Sequence, residues 1–156
     1  MDVTRRKELI EQYKDGHRVV SEAVKGLSDS ALDARLPGKW SIRQIVHHLA
    51  DSEMVAAVRL RRLVAEDGPG LRATDLTGYV RRLFYDRPVR GSLELLRAVR
   101  VSTAEILERM TDADWAREGV HSESGRYTAE KWLEIFAKHA ETHAEQITRT
   151  KAAAKT

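Results

Sequence analysis

The sequence predicts an all-α fold, a bundle of four long helices. Three observations carry the prediction. Four stretches place apolar residues at three- and four-residue steps, the spacing of one helical face. Three of them open on capping residues. Alanine, leucine, arginine and glutamate dominate, whereas β-branched and aromatic runs are scarce. At 156 residues with no internal repeat, the chain fits one domain spanning residues 1–156, long enough to bury a sizeable core.

The first helix is expected from Thr4 to Leu27, with Leu9, Tyr13, Val20, Val24 and Leu27 facing inward and Gly16 weakening it without breaking it. Ser28-Asp-Ser reads as an exit and Leu36-Pro-Gly-Lys as a turn. The second helix has the clearest start in the chain. Ser41 can cap it, and Gln44 three residues on completes a capping box, with Trp40 and Ile45 placed for a hydrophobic staple. Its stripe of Ile42, Ile45, Leu49, Ala56, Leu60 and Leu63 runs on to Asp67-Gly-Pro-Gly, which ends it. Between 71 and 91 the pattern is irregular, with one short helix expected from Asp75 to Tyr85.

A third long helix is expected to start at Ser92 as cap, with Glu94 near its positive end and a buried stripe of Leu93, Leu96, Val99, Thr103, Ile106 and Met110. Thr111 to Trp115 reads as a cap and one short turn, and His121 to Gly125 as a polar loop. The fourth helix is expected from a Thr128 cap to about Thr150, with Trp132, Phe136, His139, His143 and Ile147 along one face. The Lys151-Ala-Ala-Ala-Lys tail is expected to fray.

Composition excludes several classes. There is no cysteine, so disulfides, thiolate-ligated metals and a cysteine nucleophile are ruled out, and any metal site must use nitrogen and oxygen ligands. No stretch approaches the roughly 18 apolar residues of a membrane helix. The Met-Asp-Val-Thr-Arg-Arg-Lys-Glu opening has no apolar signal core, so a cytoplasmic location is expected. The formal net charge of +3 is small, and its concentrations at Arg59, Arg61 and Arg62 and at Arg81, Arg82, Arg87 and Arg90 show no aromatic-basic alternation of the kind that stacks bases. Solvated faces and salt bridges explain them better than nucleic acid does.

Chemistry concentrates in the histidines. His139 and His143 stand at i, i+4, which puts two imidazoles on one helical face with Cβ atoms about 6 Å apart. Both occupy positions where a core residue belongs. Two polar rings on an apolar stripe each cost about 1–3 kcal/mol if unpaired, and a shared metal removes both costs. His48, sharing a face with Ile45 and Ser52, is the candidate third ligand. His47 groups with Arg43, Asp51 and Met54 on an edge expected to be more exposed. Three nitrogens and an open position is the pattern of a catalytic metal site. Asp51, Gln44 and, beside His143, Gln146 are candidates to hold the ligands' second nitrogens. Glu53 lies about 140° around the helix from His48 and ranks low as a general base. His17 and His121 are expected to face solvent, and Trp40, Trp115 and Trp132 to anchor the core.

The segment from Gly38 to Glu53, Gly-Lys-Trp-Ser-Ile-Arg-Gln-Ile-Val-His-His-Leu-Ala-Asp-Ser-Glu, resembles the DinB/YfiT-like superfamily, in particular the branch of metal-dependent hydrolases and bacillithiol-type thiol transferases. The stretch from Tyr127 to Ile147 is similar to that family's last helix. The resemblance implies an up-down-down-up four-helix bundle, frequently a homodimer. It also implies one divalent metal ion, nickel or zinc, on three histidines that match His48, His139 and His143. The sequence departs from the family at Thr142 and Glu53, where a histidine is frequent.

Three readings follow. In the first, the chain is a metal-dependent enzyme acting on a small-molecule substrate. It either hydrolyses it with water whose pKa the metal lowers towards about 7, or transfers a low-molecular-weight thiol activated by the same cation. In the second it is a non-catalytic metal-binding module. In the third it is a basic nucleic-acid-associated protein, whose binding would be strongly salt-dependent.

Overall fold

The helices begin where their caps are. In the computed structural model, which describes residues 1–154, Asp2 caps α1 (Val3–Val24) by accepting from the Arg5 amide at 2.8 Å. After a turn of 3-10 helix at Ala31–Asp33, the Ser41–Gln44 capping box opens α2 (Ile42–Ala65). Every member of its expected stripe is buried. Asp75 caps the short α3 (Leu76–Arg82) through the Gly78 amide at 2.7 Å. Next come α4 (Arg90–Leu107), α5 (Asp112–Trp115), capped by Thr111, and α6 (Ala129–Ala153), capped by Thr128.

Three expectations are corrected. First, α4 starts at Arg90, and Ser92 is not its cap: it is buried, with its hydroxyl against His47. The buried line of α4 is Ser92, Leu96, Arg100, Thr103 and Leu107, with Leu93, Val99, Ile106 and Met110 half-buried beside it. The helix is rotated from the purely apolar stripe because Arg100 is drawn fully inside by an ion pair with Glu53. Second, α6 continues through Ala153 rather than fraying, since Lys151 Nζ donates to the Ala23 carbonyl at 2.7 Å. Lys155, part of the same expected fray, lies outside the described residues. Third, the 121–125 loop is the tip of a hairpin. β2 (Glu118–His121) and β3 (Gly125–Thr128) pair antiparallel, and β1 (Gly70–Leu71) joins β2 in parallel. Gly125 turns the hairpin with φ +69°, a conformation natural to glycine.

Contacts between helices set the topology. Arg6 of α1 meets Glu130 at the start of α6, and Ala23 meets Lys151 at its end, so these helices run parallel. Trp132 Nε1 donates to the Ala56 carbonyl at 2.7 Å, whereas His48 lies beside His143, so α2 runs against α6. His47 meets Ser92 and Arg61 meets Thr103, so α4 runs with α2. The order is therefore up-down-down-up, with α1 and α2 each packed on both α4 and α6. Two apolar clusters fill the interior. One gathers Tyr13, Leu60, Leu63 and Trp132, and the other Val20, Ile45, Leu49 and Ile147. Each such side chain contributes roughly 1.5–3 kcal/mol by leaving water. Among the described residues, no helix is long and apolar enough to cross a membrane.

Candidate metal centre

Running α2 against α6 brings His48 to the pair on α6. Ligand-capable atoms of His48, His139 and His143 all lie within 4.8 Å of one another. Ring centroids are 4.9 Å apart for His48–His143 and His139–His143, and 5.9 Å for His48–His139. Nitrogens sharing a tetrahedral ion at about 2.0–2.1 Å stand about 3.4 Å apart. Small rotations of the three rings cover the difference.

The partners behind the rings determine which nitrogen is free. His139 Nδ1 lies 2.9 Å from Glu53 Oε1, and His143 Nδ1 lies 3.0 Å from Gln146 Oε1. Both oxygens accept, so each Nδ1 carries the proton and each Nε2 keeps a lone pair for a ligand. His48 differs. Its Nδ1 is buried and has no hydrogen-bond partner among the described residues. An orphaned ring nitrogen costs about 1–3 kcal/mol, which a cation coordinated at Nδ1 would relieve. Burial pushes the His48 pKa down to about 3, helped by the neighbouring His143 and His139 rings. Burial, with His139 beside it, also lowers that of His143. Both imidazoles are therefore neutral near pH 7, the form that binds metals.

The surroundings are aromatic on two sides. Trp40 lies over His48 with centroids 4.7 Å apart, and Phe136 meets His139 edge-on at 5.4 Å. Trp40 is half-buried, packed both on that histidine and against the cluster of Val20, Ile45 and Leu49, whereas Trp115 and Trp132 are buried. A cleft of about 260 Å³ reaches His139, walled by Ser52, Val55, Arg59, His121 and Phe136. His121, expected in solvent, is half-buried in that wall and packs on Tyr127 at 5.6 Å. His17 is half-buried as well, with Nδ1 2.9 Å from the Lys14 carbonyl.

Other expected neighbours are elsewhere. His47 is fully buried rather than on an exposed edge, because α4 covers that face. Asp51 accepts from the Tyr85 hydroxyl at 2.6 Å, and Gln44 is occupied in the cap of α2, so neither stands behind His48. Gln146 holds His143, as its i+3 spacing suggests. Glu53 ranks low in the sequence because its angle is taken from His48. It turns away from that ring and towards α6, where it meets His139. Arg100 gives no signal in the sequence, because an apolar stripe does not count arginine. Thr142 is exposed and bonds the Lys138 carbonyl.

Four long helices with three imidazoles converging from two of them define a helical bundle with an all-histidine candidate metal centre. The chain belongs to the DinB superfamily, whose family model matches residues 12–147. It is 32% identical over 142 residues to a protein of Oceanobacillus iheyensis named "Putative metal-dependent hydrolase", covering 90% of this chain and 83% of that one. A Geobacillus kaustophilus protein of the same description is 34% identical over 131 residues, covering 80% and 72%. Among solved structures, YfiT from Bacillus subtilis superposes with a TM-score of 0.93 at 26% identity, covering 99% of this chain and 90% of that one. YfiT is described as a probable metal-dependent hydrolase with an unusual four-helix bundle topology.

Proposed function

We propose that this chain is a metal-dependent hydrolase of a small-molecule substrate, with one divalent ion, zinc or nickel, held by His48, His139 and His143. The observation that carries the reading is the division of labour among the rings. Two have their Nδ1 protons parked on Glu53 and Gln146, and the third keeps a buried nitrogen with no partner. An ion there would supply Lewis acidity, lowering the pKa of a water or a thiol in the remaining coordination position. Residues of the chain do the rest. Glu53 and Gln146 hold the rings in one tautomer, Trp40 and Phe136 limit water at the imidazoles, and the cleft beside His139 admits the substrate.

Transfer of a low-molecular-weight thiol is the second reading, favoured by the carboxylates present. Glu53 is sealed from solvent behind His139, and Glu123, the carboxylate lining the cleft, is exposed at its rim. A thiol activated by a cation needs no buried general base, whereas water attack gains from one. In both readings the protein works in the cytoplasm as a homodimer. Metal content per chain, measured without a histidine tag, tests the site: about one equivalent is expected in the wild type and almost none in His139→Ala. Turnover of ester or amide substrates, against thiol addition to an electrophile, then separates the two chemistries. Metal-free protein that takes up neither zinc nor nickel would falsify both.

A further inference from the structure

Glu53 and Arg100 form an ion pair at 2.7 Å in which both side chains are wholly inaccessible to solvent. Such pairs are weak contributors to stability, because desolvation offsets most of the attraction, so a buried pair in an otherwise apolar core calls for a reason. Its neighbours supply one. The Arg100 guanidinium, from α4, donates to the Tyr13 carbonyl of α1 through NH1 and to the Phe136 carbonyl of α6 at 2.9 Å through NH2. Its Cζ lies 4.3 Å from the centre of the Tyr13 ring. Gly16 gives it room, since a Cβ there would collide with the guanidinium. Glu53 of α2 then faces His139 with the same oxygen, Oε1, that receives Arg100. One guanidinium thus ties all four long helices to the carboxylate behind a candidate ligand.

We infer that Glu53, anchored by Arg100, is a positioning residue of the metal centre, fixing the tautomer and ring plane of His139 and coupling metal binding to the packing of the whole bundle. The inference rests on the metal reading above and deepens it. Arg100 gives Glu53 a second, fixed donor. The carboxylate is therefore held in one orientation, and the His139 ring that donates to it is held with it. Neither Glu53 nor Arg100 lines the substrate cleft, and each reaches it only through His139 or Phe136, so neither is a catalytic residue.

The test compares zinc affinity by competition with a chromophoric chelator, and the visible absorption of the cobalt-loaded protein, in wild type and Glu53→Gln. The amide oxygen of this variant can still accept from His139 and Arg100 but leaves the guanidinium charge uncompensated in the interior. The pair is therefore also removed together in Glu53→Gln/Arg100→Met, which buries no lone charge. The comparison protein is Arg43→Gln. Arg43 is also buried and paired, with Asp33 at 2.7 Å and Asp29 at 3.0 Å, but bonds none of the three candidate ligands. Zinc affinity is expected to fall about 10- to 100-fold in both Glu53 variants, with a changed cobalt spectrum. Arg43→Gln is expected to lower the melting temperature and leave the spectrum alone. Wild-type affinity and spectrum in a folded Glu53 variant overturn the positioning role while the metal reading stands. A spectrum changed equally by Arg43→Gln overturns it too, by reducing the effect to general loosening. Failure of the wild type to bind any ion removes both readings.

Discussion

His47 and His48 are consecutive, both buried and both held neutral by burial, yet they are chemically unlike. The His47 ring is saturated: Nδ1 meets the Ser92 hydroxyl at 2.7 Å and Nε2 the Arg87 carbonyl at 2.9 Å. It braces α2 against α4 and the segment before it. The His48 ring turns to α6, packs beneath Trp40 and leaves a buried nitrogen unused. Burial alone therefore does not separate a structural histidine from a candidate ligand. The separating property is whether both ring nitrogens are already engaged.

The contrast is sharpest in single substitutions. His48→Ala is expected to lose the metal entirely, whereas His47→Ala keeps about one equivalent but unfolds more easily. The second loss is about 1–3 kcal/mol, because Ser92 and the Arg87 carbonyl are left unpaired in the interior. Metal analysis and urea denaturation of the pair read both effects, and loss of metal in both variants would erase the distinction.

Acid should expose the same difference in metal-free protein. Above about pH 6.5 His48 is neutral folded or unfolded, and contributes no pH dependence. As pH falls below that, the unfolded chain takes up a proton that the folded one refuses until about pH 3. Stability therefore drops with acidification across this window. Burial lowers the His47 pKa in the same sense. The urea midpoint is expected to fall between about pH 6.5 and about pH 4.5, and to fall less steeply in His48→Gln. A flat profile in the wild type would contradict the burial of both rings.

A smaller effect is expected at Gln146. It is half-buried and reaches His143 from the same helix, so Gln146→Ala should weaken zinc binding by roughly tenfold, near the low end for groups supporting a ligand. An unchanged affinity would show that the His143 ring is held by packing alone.

Much of this arrangement is legible in the sequence, and the remainder is not for identifiable reasons. Periodicity and caps locate α1, α2 and α6, because Ser41, Gln44 and Thr128 act within one turn of where they stand. The i, i+4 spacing puts His139 and His143 on one face for the same local reason. The rotation of α4 is not local. It follows from Arg100 finding Glu53 forty-seven residues away. The sheet escapes because its strands are two to four residues long and too polar to alternate. Glu53 is hidden by its context, since its partner lies on a different helix from the candidate ligand it follows in sequence.

The packing of Trp40 on His48 has a consequence for observation. The other two tryptophans belong to the opposite cluster, with Trp115 and Trp132 packed among Leu63, Leu107 and Leu133. A charge arriving at the His48 imidazole, proton or cation, therefore acts chiefly on the excited state of one indole. The intrinsic fluorescence of this protein carries a built-in report on its own centre, and replacing Trp40 with phenylalanine should silence that signal while the other two tryptophans continue to emit.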